Sequence, residues 1–116
     1  MTKPVGPYTP IVRAGDFLIC SGQVGQRDGK LVDGDVTAQT AVAIENIATL
    51  LAQHGAKLTD VVKTMCFLVD MADFATFNEA YISGFGDHRP ARTTIGVAAL
   101  PIGASVKIEA WALKPA

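Results

Sequence analysis

The sequence predicts an α+β domain, with one mostly antiparallel sheet carrying two helices on one of its faces. Three observations lead there. Short β-branched and apolar runs separated by turn residues open and close the chain, and two stretches with helical spacing lie between them. A length of 116 residues fits a single domain spanning 1–116 and leaves no room for a second.

Each element has its own signal. Ile11-Val12-Arg13, the turn Ala14-Gly15-Asp16 and the run Phe17 to Ser21 read as strand, tight turn, strand. Asp28-Gly29-Lys30 marks a second turn between short extended pieces. From Val36 to His54 the spacing becomes helical. Ile44, Ile47 and Leu51 share a stripe widened by Ala43, Ala48 and Leu50, and Gly55 follows as a stop signal. Gln39, Glu45, Asn46, Thr49 and Gln53 fall on the opposite, polar side of that helix. Val61 to Val69 is a dense β-branched and apolar run between Asp60 and Asp70, the pattern of a well-buried strand. Asp73 is placed as the N-cap of a second helix reaching about Gly84, and its aromatic stripe Phe74, Phe77, Tyr81 and Phe85 has core spacing. Thr93 to Val97 reads as a strand, Leu100 to Gly103 as a turn, and Ser105 to Leu113 as the last strand. There Val106, Ile108, Ala110 and Ala112 alternate with Lys107, Glu109, Trp111 and Leu113.

Composition then limits function. Apolar residues make up 49% and charged residues 18%, below the roughly 25% of an ordinary soluble domain. Mean hydropathy is +0.29. A small domain cannot bury such a surplus by itself, and large exposed apolar patches are rare on monomers, so the expectation is an obligate oligomer. A net charge of -1 lacks the basic footprint of a nucleic-acid binder. No run approaches the about 18 apolar residues of a membrane span. Met1 to Pro7 has no apolar signal core, so the expected location is the cytoplasm. Cys20 and Cys66, both in apolar stretches, read as buried free thiols without an activating base.

Few chemical motifs stand out. Phosphate-cradling glycine loops are absent, and His54 and His88 have no metal-ligand spacing. One stretch is odd: His88-Arg89-Pro90-Ala91-Arg92-Thr93-Thr94. Arg92 sits where a loop enters an apolar strand, and Pro90 stiffens the approach. An arginine there is either an ion-paired structural residue or a two-pronged clamp for a small carboxylate. Gly6-Pro7-Tyr8 and Ser21-Gly22-Gln23, taken singly, are accounted for by turn chemistry.

Taken together they carry more. Gly6-Pro7-Tyr8, Ser21-Gly22-Gln23, Asp60 to Thr64, Asp73 to Asn78, Pro90-Ala91-Arg92, Leu100-Pro101 and Ile108-Glu109-Ala110 form an ordered set running nearly end to end. In this the chain resembles the reactive-intermediate deaminase family, also called the YjgF or endoribonuclease L-PSP family. The resemblance implies a chorismate-mutase-like sandwich assembled as a homotrimer, with sites in clefts between subunits. It implies hydrolysis of enamines and 2-imino acids to 2-keto acids and ammonia, with no metal or organic cofactor. Arg92 would hold the substrate carboxylate. Tyr8, Ser21 and Asn78 would line the pocket, and the Gly22 backbone would position ligand or water. Thr94 falls where many relatives have cysteine, and Phe77 either walls the pocket or packs the core.

The last strand departs from that resemblance. Lys107 stands where many deaminases of the family have a glutamate that handles the water and the proton. Either Glu109 or a bound water replaces that carboxylate, or Lys107 and Arg92 form a doubly cationic pocket for another anion. The rival readings are a non-catalytic binder of small carboxylate metabolites and, from the family's older name, an endoribonuclease, which the net charge opposes. Chorismate mutase activity would rest on fold alone.

Overall fold

The computed structural model describes residues 6–116; residues 1–5, which include most of the stretch read as lacking a signal core, lie outside the described residues. Strands β1 (Ile11–Ala14) and β2 (Phe17–Val24) form a hairpin whose turn is made by Gly15 at φ +62°. A two-residue pair, β3 (Gln26–Arg27) and β4 (Lys30–Leu31), follows as a separate small hairpin. Then come helix α1 (Val36–Ala52), strand β5 (Val61–Leu68), helix α2 (Phe74–Phe85), strand β6 (Ala91–Gly96) and strand β7 (Val106–Leu113). The main sheet is ordered β1-β2-β7-β5-β6, antiparallel except for the parallel pair β5–β6. Helix α2 forms the crossover between those two parallel strands, the role such a pair requires.

The core lies between one sheet face and the two helices. Leu18, Cys66, Leu68, Val106 and Ile108 point up from the strands, Ile47 and Leu51 come down from α1, and Phe77 from α2, each at most 1% exposed. Full burial of a side chain of this size contributes about 1.5–3 kcal/mol each. The alternation read in the last strand holds: Val106, Ile108, Ala110 and Ala112 are buried, while Trp111 and Leu113 stay exposed on the helix-free face.

Three local expectations are corrected. Gln39 and Asn46, read as polar-side residues of α1, are buried at 3% and 8% exposure. The chain between β2 and β4 covers that side. Asn46 Nδ2 donates to the carbonyls of Val24 and Gln26, and Gln39 Oε1 accepts from Ser105 N at 2.8 Å, so both amides are satisfied inside. Asp73 occupies the N-cap position of α2 but its side chain makes no cap bond; Asp70 instead accepts from Ala72 N at 2.9 Å, one turn earlier. The aromatic stripe of α2 is buried from Phe77 through Tyr81 to Phe85, but Phe74 at its start is 38% exposed.

Candidate functional site

Arg92 is the second residue of β6, inside the strand rather than at its entry. The parallel register sets its direction. Thr64 pairs with Arg92 and Cys66 with Thr94, and both β5 residues are fully buried toward the helices, so Arg92 and Thr94 rise from the helical face of the edge strand. There α2 supplies a bed. The Arg92 guanidinium carbon lies 5.6 Å from the ring centre of Phe74, 5.4 Å from that of Phe77 and 4.9 Å from that of Tyr81. A guanidinium over ring faces at this range gains about 0.5–2 kcal/mol, more as water is excluded. The central ring is itself held, since the Tyr81 hydroxyl and the Thr64 hydroxyl are hydrogen-bonded at 2.8 Å inside the core. Burial pushes the Tyr81 hydroxyl above its ordinary value, so it stays neutral.

Above this bed opens a cleft of about 290 Å³ lined by Asn78, Tyr81, Ile82, Arg89, Pro90 and Arg92. Two features mark it. Among the described residues the one ion pair is the exposed Arg27–Glu45 contact at 3.3 Å, so Arg92 has no carboxylate partner. Asn78 Oδ1 is buried without a hydrogen-bond partner among the described residues. An unpaired guanidinium and an unsatisfied buried amide acceptor, both belonging to residues that line one cleft, match a ligand presenting both a carboxylate and an N–H. Of the two roles open to Arg92 from sequence, the internal ion pair is absent.

The remaining sequence-selected residues lie on the other face. Lys107 and Glu109 alternate with the buried residues of β7 and pair with Phe67 and Met65 of β5. In β2 a bulge puts Ser21 and Gly22 together opposite Glu109, between the Cys20–Ala110 and Gln23–Ile108 pairs. The Lys107 side chain lies directly across Gly22, filling the space a Cβ would take. Ser21 Oγ donates to the Thr9 carbonyl at 2.7 Å and Ser21 N to that of Pro10, which holds the segment following Tyr8 beside the bulge. Tyr8 itself is 40% exposed.

One chain therefore presents two half-sets. Arg92, Asn78, Thr94 and the wholly buried Phe77 belong to the helical face; Ser21, Gly22, Lys107 and Glu109 belong to the opposite face, with the Tyr8 segment at its edge. Within one chain Lys107 and Arg92 lie on opposite faces of the sheet and do not share a pocket. Both cysteines are buried free thiols, and burial pushes the Cys66 thiol up to about 11 and the Cys20 thiol to about 12, away from the activated, thiolate form. Sequence reading missed Tyr81, Ile82, Arg89 and Pro90 as cleft residues. Tyr81 had been assigned to the core by its stripe, and Arg89 lies in the unusual stretch before Arg92 but carried no assignment of its own.

The sequence profile of the family described as Endoribonuclease L-PSP matches residues 1–114. A RutC family protein of Pyrococcus horikoshii is 42% identical over 97% of this chain and 90% of its own length. The 2-iminobutanoate/2-iminopropanoate deaminase of Mus musculus is 41% identical over 95% of this chain and 83% of its own, and Reactive Intermediate Deaminase A, chloroplastic, of Arabidopsis thaliana is 40% identical over 90% and 57%. Among solved structures, the YjgF gene product of E. coli superposes with a TM-score of 0.88 at 36% identity, covering 95% of this chain and 90% of that one. E. coli TdcF with bound serine gives 0.89 at 33% identity, covering 96% and 91%.

Proposed function

The chain belongs to the endoribonuclease L-PSP family, and on that footing we propose that it hydrolyses 2-aminoacrylate-like enamines and other 2-imino acids to 2-keto acids and ammonia. The mouse and Arabidopsis relatives bear deaminase names, and deamination of reactive imines is the family's role. The observation that carries the reading for this chain is Arg92: a guanidinium without an internal counterion, seated on three aromatic rings beside an open amide acceptor. That a relative holds serine, an amino acid with one carboxylate and one amine, fits the same pair of groups.

The chemistry needs little from the protein. Arg92 grips the substrate carboxylate with two parallel N–H bonds, and Asn78 Oδ1 accepts the N–H of the imine, so the C=N carbon is held in one orientation. Water adds to that carbon and its proton passes to nitrogen; the resulting carbinolamine collapses to the 2-keto acid and releases ammonia. Because 2-imino acids already hydrolyse in water, the gain is in positioning and in donors aimed where charge develops.

We place the second half of the site on a neighbouring subunit of a homotrimer. The helix-free sheet face carries Val12, Phe17, Ile95, Trp111 and Leu113, each 37–47% exposed, a patch that a monomer rarely leaves to solvent. Packing that face against another chain lets Tyr8, Ser21, Gly22, Lys107 and Glu109 of one subunit face Arg92 and Asn78 of the next. Glu109, opposite the Ser21–Gly22 bulge and without an ion-pair partner among the described residues, is then the carboxylate for the proton, with Lys107 beside it.

The test is a coupled assay in which an amino-acid oxidase generates 2-imino acids and a trapping reagent reports their lifetime. Wild type should shorten that lifetime and Arg92→Ala should not, both checked for intact assembly. Lys107 in place of glutamate favours one second reading, a non-catalytic binder of small carboxylates. Saturable binding of 2-keto acids without release of ammonia would establish it. A ribonuclease reading has no comparable support, as the chain carries a net charge of -1 and the cleft, at about 290 Å³, suits a metabolite rather than a polymer.

A further inference from the structure

The cleft has two arginines, and the reaction as described uses one. Arg89 and Arg92 both line it, on either side of Pro90, whose fixed φ sets the direction of one relative to the other. Arg89 is exposed yet not free-swinging. Its Nη1 donates to the Gly86 carbonyl and, at 3.0 Å, to that of His88, while Gly86 takes φ +63° to end α2. The loop is pinned in turn, because His88 Nε2 bonds the Val61 carbonyl at 2.7 Å and the residue preceding Arg89 is thereby fixed to the start of β5. One nitrogen of the Arg89 guanidinium is thus spent on anchoring. Nη2 and Nε have no partner among the described residues, and neither arginine has a carboxylate.

Two unpaired guanidiniums on one small cleft repel each other, and a ligand with one anionic group neutralises only one of them. A ligand with an anionic group at each end satisfies both. The same cleft is lined by Tyr81 and Ile82, whose apolar surfaces suit a short methylene stem, and by Asn78, whose buried Oδ1 has no partner among the described residues. The volume, about 290 Å³, is at the small end for a ligand site and admits a short diacid.

We propose that Arg89 makes this a site for dicarboxylic 2-imino acids, with Arg92 on the carboxylate next to the imine and Arg89 on the distal one. This rests on the deaminase reading for the reaction, but the recognition of a doubly anionic ligand stands apart from it. The reaction balances as before, with water consumed and ammonia released, and the distal carboxylate is unchanged.

Two measurements separate the two claims. In the imine assay, kcat/KM for 2-iminosuccinate and 2-iminoglutarate is compared with that for 2-iminopropanoate and 2-iminobutanoate. The diacids should be favoured by about tenfold in wild type, the worth of one charge-assisted pair at a partly exposed site, and Arg89→Gln should remove that margin. In parallel, calorimetry with 2-oxoglutarate and 2-oxobutanoate reads affinity without turnover, in wild type, Arg89→Gln and Arg89→Lys. Arg89→Lys keeps the charge without the fork and should retain part of the margin; thermal melts confirm that the variants fold. Tighter binding of 2-oxoglutarate that depends on Arg89, in a protein that hydrolyses no imine, upholds the diacid site and overturns the deaminase reading. Equal affinities, no binding of either acid, or a margin indifferent to Arg89→Gln overturns the diacid site, and imine hydrolysis in that same protein leaves the deaminase reading in place.

Discussion

The guanidinium of Arg92 has a flat face on aromatic rings and a free edge toward the cleft, which is the division of labour a carboxylate clamp needs. Removing it in Arg92→Ala should lower kcat/KM for any 2-imino acid about 10- to 100-fold, the loss of a charge-assisted bidentate bond, and initial rates of imine disappearance measure this. Lys107 makes the opposite kind of test. If its position is that of a missing acid/base group, Lys107→Glu should raise the deamination rate, and a rate unchanged from wild type would show that Glu109 or water already serves. Residue identities at these positions were legible in the sequence because short motifs carry them. Their division between two sheet faces was not. Which way Arg92 points depends on β6 pairing in parallel with β5, and a strand in isolation carries no sign of the neighbour it will choose.

Elements were legible where periodicity is strong: α1, α2, β5 and β7 begin and end within about two residues of where spacing and stop signals put them. What the pattern misjudged is α1's second buried side. A helix wheel assigns Gln39 and Asn46 to water because their side chains are polar; the β2–β4 segment instead lies across them, taking up the hydrogen bonds of Asn46, while those of Gln39 go to Ser105 just before β7. Gly25 is the hinge of that arrangement. A Cβ there would sit 2.5 Å from Gln39 Cα, against backbone that cannot rotate away. Gly25→Ala should therefore push α1 off the sheet and cost about 1–3 kcal/mol, read as a lower urea midpoint at unchanged slope. Gly84→Ala is the control, because its nearest obstacle is the Ile44 Cδ1 methyl, which can turn aside, and its cost should be smaller.

For the whole molecule, part of the apolar surplus in the composition lies exposed on the helix-free face, in Val12, Phe17, Ile95, Trp111 and Leu113. Trp111, 40% exposed and packed edge-on against Phe17 at 5.9 Å, lies in that face. Trp111→Glu should yield a monomer-sized species in sedimentation and abolish imine hydrolysis along with assembly. Stability also has a pH signature. Both thiols hold their proton more tightly folded than unfolded, so their contribution is full below the ordinary value of 9.0 and is lost as pH rises toward about 11 for Cys66 and about 12 for Cys20. The urea midpoint should fall above pH 9, and the fall should be shallower in a Cys20→Ala, Cys66→Ala double variant; identical slopes would count against it. The order of the sheet has a consequence in time as well. β7, the last of the described strands in chain order, is the middle strand, with β2 on one side and β5 on the other. Without β7 the β1–β2 ribbon and the β5–β6 pair share no strand pairing. The sheet is therefore closed by pairings of long sequence separation, β2 with β7 above all, and such non-local topology favours slow folding over fast.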